Sequence, residues 1–474
     1  MSAPSSMSSS SASPSVSSPV QAGQTAPTMR QVCTLALPQL GLMFCHMAIY
    51  LTDVWVAGRI DTRVLASLGV VGQIFGLLML ITSIAGSGCL AAISQALGAG
   101  LPRRAERYAG LIVLLAGSAG SLVGLLGYCC LPLFLFAVRV PEELVPVVRI
   151  FGGVYCLNLP FYYTLILINS IFRAHKLVRL PLLSFSVVLG VNLIGSLGLG
   201  LGWFGLPQLG YAGVAWSTLF STLTGLMVSV CSVRRHGIIS RRAFAPWRWN
   251  RRAFPYLLKV GGPSVAGQLV AQGAGFIKLG LIASLPEAIN VMAGMTLGVR
   301  VHSVLMFPLG AVNLTMAIFA GHMLGAGARQ ELYRFGLRVA CGAAALFGSL
   351  AVIVFLAREP AAALLSTDPE AIREACRFLL FALPGVPALA CVMTLSGVLS
   401  GTGATVYYLA LNLLSLWAVQ LPLAWLLGHW MGYGADGIYA AMLVAEGVYV
   451  AAFMKVYCSR KWLEFGMQRR KHAG

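Results

Sequence analysis

Residues 64–96 read VLASLGVVGQIFGLLMLITSIAGSGCLAAISQA and contain no Asp, Glu, Lys or Arg. An uncharged run of this length exceeds the roughly 20 apolar residues that an α-helix needs to cross a bilayer. The whole chain has the same character, since 58% of its 474 residues are hydrophobic and only 10% are charged. A soluble domain carries about 25% charged residues. The sequence therefore predicts an all-α polytopic membrane protein.

Twelve apolar segments are each long enough to span a bilayer, some with tilt. They lie at 32–57, 64–96, 107–136, 146–172, 179–202, 211–233, 257–285, 290–322, 331–357, 373–399, 404–430 and 437–458. With the N-terminus in the cytoplasm, 24 of the 33 basic residues fall in inner segments and seven in outer loops. This bias predicts that both termini are cytoplasmic. The formal net charge of +19 is then a topology signal, and not a sign of nucleic-acid binding.

The two halves of the chain repeat each other at a separation of 224 to 227 residues. Pro38 matches Pro263, Pro160 matches Pro384, and LGAG at 97–100 recurs at 324–327. Six helices per half give both halves the same orientation, so the repeats are parallel and related by a pseudo-twofold axis along the membrane normal. The predicted organisation comprises a disordered cytoplasmic tail, a six-helix bundle, a basic cytoplasmic linker, a second six-helix bundle and a basic cytoplasmic tail, at 1–29, 30–233, 234–256, 257–458 and 459–474.

Duplicated bundles joined by a linker suit alternating access around a central cavity. A membrane-embedded enzyme would need clustered polar catalytic residues, and the sequence contains no Ser-His-Asp order, Walker loop or HExxH. The eleven cysteines are scattered without zinc spacing, so neither a metal site nor a cofactor is predicted. These patterns favour a transporter over an enzyme.

Four local stretches are informative, namely LALPQLGLMFCHMAIYLTDVWVAGRI at 35–60, ISQALGAGLPRRAERYA at 93–109, LGYAGVAWST at 209–218 and VMAGMTLGVRVHSVLMFPLGAVNLTMAIFAGHMLGAG at 291–327. They resemble motifs of the multidrug and toxic compound extrusion (MATE) transporters. The resemblance covers residues 30–460. It implies export of organic, cationic or amphipathic compounds in exchange for protons or sodium, by a monomer in the bacterial inner membrane. The alternative from the same superfamily is a flippase for a lipid-linked cell-envelope precursor.

The chain departs from that family pattern where acids are common in its members. Asn192 is followed by Ser196 instead of an acid, and Ala271 with Gln272 stands where many relatives have an acid. Fewer residues are thus available to couple transport to an ion, and the sequence does not decide between proton and sodium coupling.

Asp53 is the leading candidate for the ion-coupling residue, because the resemblance places an acid there. Helical spacing puts Tyr50 and His46 on the same face, so the three side chains are predicted to form a proton relay. Burial favours the neutral form of a carboxyl group, which lets such a group take up a proton. The alternative is that Asp53 is a solvated acid near the outer end of the helix, without a role in coupling.

Four charged residues lie well inside predicted helices, and such residues face a cavity or a partner. Besides Asp53 they are Lys278, Arg300 and Glu446. Lys278 is the repeat mate of Asp53. Glu446 shares a helical stripe with Met442 and Tyr449, where a lipophilic cation could bind. Arg300 is assigned a structural role, and an ion pair of Glu446 with Arg300 or Lys278 stays open. The predicted substrate-cavity set is Gln39, Met43, Asn192, Gln268, Gln272, Lys278, Met442, Glu446 and Tyr449.

Overall fold

The computed structural model describes residues 27–137, 141–240, 243–244 and 246–466. Eleven helices are long and apolar enough to cross a membrane, and a bent helix pair makes the twelfth span. The predicted twelve-helix all-α fold is confirmed. Most of the tail at 1–29 and part of the tail at 459–474 lie outside the described residues.

The first six helices occupy the chain up to Arg235. They are α1 Met29–Ile60, α2 Thr62–Gly98, α3 Pro102–Ala137, α4 Val145–Ala174, α5 Arg179–Gly200 and α6 Tyr211–Arg235. The second six are α7 Trp247–Ala283, α8 Ala288–Gly325, α9 Arg329–Leu356, α10 Pro369–Ala382 with Val386–Thr402, α11 Val406–Trp430 and α12 Gly434–Cys458. Residues 247–256 of the predicted linker are helical, so α7 begins ten residues before its predicted start.

Helix starts follow from local capping chemistry. At the start of α1 the Gln31 backbone N–H donates to the Thr28 hydroxyl, and the Gln31 side chain accepts from the Thr28 backbone N–H at 3.0 Å. This reciprocal pair satisfies two of the donors that every helix start leaves free. Asp61 caps α2 in the same way by accepting from the Arg63 backbone N–H at 3.0 Å. The one-residue connection between α1 and α2 is thereby fixed.

The same helix pairing occurs twice. In the first half α3 and α6 pack on α4, α5 packs on α6, and α1 packs on α5. In the second half α9 and α12 pack on α10, α11 packs on α12, and α7 packs on α11. Each set therefore forms a six-helix bundle of the same design. Between the bundles, α2 packs on α7 and α8, and α1 packs on α8. The first two helices of one repeat therefore contact the first two helices of the other.

The bundles meet in one half of the molecule, toward the face that carries the start of α1 and the end of α12, called here the terminal face. The Gln39 amide donates to the Thr315 hydroxyl at 2.7 Å, and the Gln95 amide donates to the Gly401 carbonyl at 2.9 Å. Tyr256 donates to Gln95 at 3.3 Å. These three hydrogen bonds join the bundles in the terminal half.

Small residues let the helix backbones approach closely at the terminal face. A Cβ on Gly98 would overlap the backbone carbonyl of His322, and one on Gly321 would overlap the Ser94 side chain. Toward the opposite face, called the distal face, a Cβ on Gly72 or Gly76 of α2 would meet no atom within 4 Å. The close approach of the two bundles is therefore at the terminal face. Close contact through small residues is typical of helix packing in membranes.

Candidate functional site

Asp53 lies inside the first bundle with 7% of its surface exposed. Its Oδ1 accepts a hydrogen bond from the Asn192 amide at 3.3 Å and another from the Ser196 hydroxyl at 3.1 Å. Ser196 is also 3.2 Å from Ser217, whose hydroxyl donates to the Asn192 backbone carbonyl. No basic side chain pairs with Asp53 among the described residues. The carboxyl group is therefore held by neutral donors.

The shape of α5 brings these donors to Asp53. Residues 196–200 form a π-helical turn that extends the helix beyond Gly195. π-helical turns are rare and are frequently found at functional sites. Here the turn starts at Ser196, which donates to Asp53. The Asn192 Oδ1 atom stays buried without a hydrogen-bond partner, so an acceptor is left beside the carboxyl group.

The predicted relay of Asp53, Tyr50 and His46 is not assembled in the described structure. Tyr50 is 67% exposed, whereas Asp53 is buried. The His46 Nδ1 atom lies 2.9 Å from the Leu42 carbonyl, and its ring packs on Phe185 with 4.1 Å between centroids. The reason is helix geometry, because the seven residues from His46 to Asp53 span about 10 Å of helix axis. A shared face does not bring side chains that far apart into contact.

Two predicted cavity residues of α1 instead join the bundles. Gln39 is 1% exposed and bonded to Thr315. Met43 lies against Gly310 of α8, where a Cβ would be 3.2 Å from the Met43 methyl carbon. Both contribute to the contact at the terminal half, and neither lines the cavity described next.

A cavity of about 620 Å³ lies in the second bundle. Five predicted substrate residues line it, namely Gln268, Lys278, Met442, Glu446 and Tyr449. Gln272 is exposed and is not part of the wall, and Asn192 belongs to the Asp53 site. Volumes between about 300 and 1,000 Å³ are typical of sites for drug-sized ligands. The second bundle thus holds a cavity of the right size for an organic molecule.

The carboxylate of Glu446 lies at the break in α10. The two halves of α10 meet at an angle of 61°, between Ala382 and Val386. A Cβ on Gly385 would lie 2.7 Å from the Glu446 Cδ atom, so a larger residue there would displace the carboxylate. The carboxylate faces the N-terminus of the second half of α10, where the helix dipole is positive. Its Oε1 atom is buried without a hydrogen-bond partner.

Arg300 does not form the ion pair with Glu446 that the sequence analysis left open. It is exposed on α8, and the ion pairs among the described residues are Arg63 with Glu143 and Arg377 with both Glu374 and Asp436. Glu446 and Lys278 have no ion-pair partner in the same set. The charges of the cavity are therefore not neutralised by one another or by Arg300.

Sequence reasoning missed several residues of both sites. Ser196 was seen only as a departure from the family pattern, and it is a direct donor to Asp53. His302 was not among the predicted cavity residues, and it lines the cavity. No sequence signal marked His302. Ser196 follows Asn192 by four residues, and this spacing places the two side chains on one helix face.

At the terminal face a third polar group joins the bundles. Lys176 follows α4 with φ of 61°, and its ammonium lies 5.4 Å from the centroid of the Phe319 ring on α8. Burial lowers the pKa of the Lys176 ammonium. Such a cation–π contact between bundles adds to the hydrogen bonds of Gln39 and Gln95.

Comparisons with known proteins agree with this architecture. The MatE family profile matches residues 38–197 and 263–426, one stretch in each bundle. The chain is 23% identical to "Probable multidrug resistance protein NorM" of Thermotoga maritima, with 87% of this chain and 90% of that protein covered. It is 26% identical to "Multidrug resistance protein PmpM" of Pseudomonas aeruginosa, with 90% of each covered. The crystal structure of the Vibrio cholerae MATE transporter VcmN in the bent form aligns with a TM-score of 0.83 at 22% identity, covering 92% of this chain and 98% of that one.

Proposed function

The chain belongs to the MatE family, and on that premise we propose that it exports organic small molecules in exchange for protons or sodium by alternating access. The protein is a membrane transporter and not an enzyme, because the relatives named above are transporters. The finer proposal assigns ion coupling to Asp53 and binding of cationic or amphipathic compounds to the cavity of the second bundle.

The single observation that carries ion coupling is the setting of Asp53. Its carboxyl group is buried, and neutral donors that include Asn192 and Ser196 hold it. An acid at membrane depth without a basic partner needs a proton or a cation to neutralise its charge. Ions and substrates can then compete, since each would favour a different state of the two-bundle equilibrium.

The proposed mechanism needs no cofactor beyond the coupling ion, and it is complete in one chain. Both bundles come from the same polypeptide, and the interface between them joins α1, α2, α7 and α8. We propose that the bundles move as bodies about this interface. The present contact at the terminal half would be one state of that cycle.

Transport into inverted membrane vesicles that contain the protein in their membrane tests this function. We expect ethidium uptake into such vesicles to be driven by an imposed proton or sodium gradient. Asp53→Asn keeps the size of the side chain but cannot ionise, so it should abolish gradient-driven transport while the protein stays in the membrane. Glu446→Gln should have a milder effect, mainly on the affinity for the cation. Asp53→Asn transporting at the wild-type rate with unchanged pH dependence would refute the assignment.

We further propose that the terminal face is cytoplasmic in a bacterial inner membrane. The support is the excess of basic residues in the segments that the fold brings to that face. A reporter fused after Gly237, in the connection between the bundles, should be active only if it is cytoplasmic. A matched fusion at Gly432, in the distal loop before α12, should give the opposite result. A periplasmic signal from Gly237 would contradict this orientation.

A further inference from the structure

The chain that follows α12 turns back onto the terminal face and reaches the first bundle. We propose that residues 459–466, called here the strap, hold the two bundles together at the terminal face and must leave the first bundle before the bundles can separate there. The proposal rests on the proposed function only in treating the bundles as bodies that move relative to one another. It does not depend on the coupling ion, on the substrate or on the role of Asp53.

The strap begins with a sharp reversal of the chain. Helix α12 ends at Cys458, and Arg460 has φ of 59°, in the left-handed region that residues other than glycine rarely adopt. The Arg460 guanidinium lies 4.4 Å from the centroid of the Tyr333 ring on α9, and its Nη1 atom donates to the Gln330 Oε1 atom at 3.3 Å. A strained backbone conformation persists only where the surrounding structure fixes it. The second bundle therefore sets the direction in which the chain leaves α12.

Two buried side chains anchor the strap to the second bundle. Trp462 is fully buried, and Leu463 is nearly so. The Trp462 ring stacks on the Tyr457 ring with 4.9 Å between centroids, and its Nε1 atom donates to the Tyr457 backbone carbonyl at 2.8 Å. Both anchor residues belong to an apolar cluster that also contains Val32 of α1. The strap is thus packed as part of the protein core, in a cluster that both bundles share.

Phe465 continues the strap beyond this anchor. Its ring lies 5.5 Å from the Tyr407 ring on α11, and the Lys259 ammonium on α7 lies 5.9 Å from its centroid. Aromatic pairs and cation–π contacts of this kind add to the burial of the ring itself. Because Phe465 is only half-buried, its contacts can be removed without opening a hole in the core.

The end of the strap lies against the hydrogen bonds that join the bundles. A Cβ on Gly466 would be 2.8 Å from the Leu324 Cδ2 atom on α8 and 3.7 Å from the Gln95 Oε1 atom on α2. The same Gln95 side chain donates to the Gly401 carbonyl and accepts from the Tyr256 hydroxyl. Helix α2 belongs to the first bundle, whereas α7, α8 and α10 belong to the second. The strap therefore contacts both bundles at the point where they are bonded.

This arrangement favours the state in which the terminal face is closed. The anchor at Trp462 moves with the second bundle, whereas Gln95 moves with the first. Separation of the bundles at this face would pull Gly466 away from Gln95 and disrupt the shared apolar cluster. Contacts that exist in only one of two states shift the equilibrium toward that state by their free energy. Weakening the strap should therefore increase the population that is open at the terminal face.

The distance between two spin labels across the terminal face tests the proposal. The labels replace Arg107 on α3 and Arg334 on α9, which are exposed and occupy equivalent places in the two repeats. They are introduced as unnatural amino acids, because the chain has eleven cysteines. Double electron–electron resonance is measured on the purified protein in lipid nanodiscs, without substrate or ion gradient. The wild-type chain should show mainly the short distance of the closed face.

Two variants weaken the strap, and each has a matched control. Phe465→Ala in the full-length chain should raise the long-distance fraction at least about threefold, because lost apolar contact shifts a two-state equilibrium exponentially. Deletion of residues 460–474 should raise it further. Phe254→Ala removes an exposed ring near the start of α7, and deletion of residues 467–474 leaves the strap in place. Both controls should keep the wild-type distance distribution.

An unchanged distribution in Phe465→Ala, or an equal change in Phe465→Ala and Phe254→Ala, would overturn the proposal. An equal effect of the two deletions would also overturn it, because the strap would then not be the cause. Should the longer deletion fail to accumulate, the two phenylalanine variants still decide. Phe465→Ala combined with Asp53→Asn separates this proposal from the proposed function. We expect that double variant to open to the same extent as Phe465→Ala, whether or not it transports ethidium.

Discussion

The two bundles have the same helix pairing but hold their acids in opposite ways. In the first bundle the carboxyl group of Asp53 is bonded to Asn192 and Ser196 and has 7% of its surface exposed. In the second bundle Glu446 faces a cavity of about 620 Å³, and its Oε1 atom has no partner. The repeat mate of Asp53 is Lys278, which carries the opposite charge into that cavity.

This difference shows that a duplicated scaffold does not produce duplicated sites. The Asp53 carboxyl group is held by protein donors, whereas Glu446 is unpaired beside a cavity that can hold an organic molecule. Under the proposed function a small ion and a larger substrate would occupy different bundles. Coupling between them would then pass through the contact between bundles at the terminal half, where Gln39, Gln95 and Tyr256 form bonds.

The largest effect is expected from breaking that contact. Gly98→Ala places a methyl group on the backbone carbonyl of His322, so the two bundles cannot approach as they do in the wild type. We expect gradient-driven ethidium transport to fall by about tenfold or more, because overpacking at a tight helix contact costs about 1–3 kcal/mol. Gly117→Ala on α3 is the control, since its Cβ would meet no atom within 4 Å. Equal transport by the two variants would show that the contact does not couple the bundles.

An intermediate effect is expected at the Asp53 site. Ser196→Ala removes the hydroxyl that donates to Asp53 at 3.1 Å and leaves the Asn192 amide in place. Transport in the same vesicles should slow roughly threefold to tenfold, since one hydrogen bond contributes about 0.5–1.5 kcal/mol.

Ser186→Ala is the matched control for this site. It lies on the same helix, and its hydroxyl is 3.8 Å from the Cys45 sulphur instead of near Asp53. It should transport at close to the wild-type rate. A loss of the same size in both variants would mean that α5 tolerates no such change, and would remove the argument for Ser196.

The smallest effect is expected from the paired prolines of the two bundles. Pro160 lies within the continuous helix α4, whereas Pro384 lies at the 61° break of α10 beside Glu446. Pro384→Ala restores a backbone donor and lets α10 straighten. The position of Gly385 against the Glu446 carboxylate then changes. Binding of the fluorescent cation dansylcadaverine should weaken about twofold, the lower end of what one hydrogen bond of about 0.5–1.5 kcal/mol contributes.

Pro160→Ala provides the comparison for that prediction. Because α4 is already helical on both sides of Pro160, the substitution should change dansylcadaverine binding little. Binding that weakens equally in both variants would show that the break in α10 has no special part in the second bundle.

The different helix structures at these two prolines show what the sequence could not predict. The repeat identified Pro160 and Pro384 as mates and predicted a helix at each, and both helices exist. Whether a proline bends or breaks its helix depends on whether neighbours re-satisfy the freed carbonyl, and that is decided by packing. The helix ends showed a similar limit, since α7 starts at Trp247 within the predicted linker.

The sequence alone determined the twelve spans, the repeat and the identity of the charged residues inside the helices. These follow from local properties, namely the length of apolar runs and the cost of a charge in lipid. It also placed Lys278, Glu446, Met442 and Tyr449 in one predicted substrate cavity. The signals were the charges of Lys278 and Glu446 inside helices and the helical spacing of Met442 and Tyr449 from Glu446.

Only the tertiary structure decided which partners those residues have. The donors of Asp53 come from α5, about 140 residues away in the chain, and not from Tyr50 and His46 on its own helix. Gln39 joins the bundles through Thr315, 276 residues away. Helical spacing says which side chains share a face, but a contact across helices depends on crossing geometry and close approach at residues such as Gly98. That geometry is a property of the packed chain.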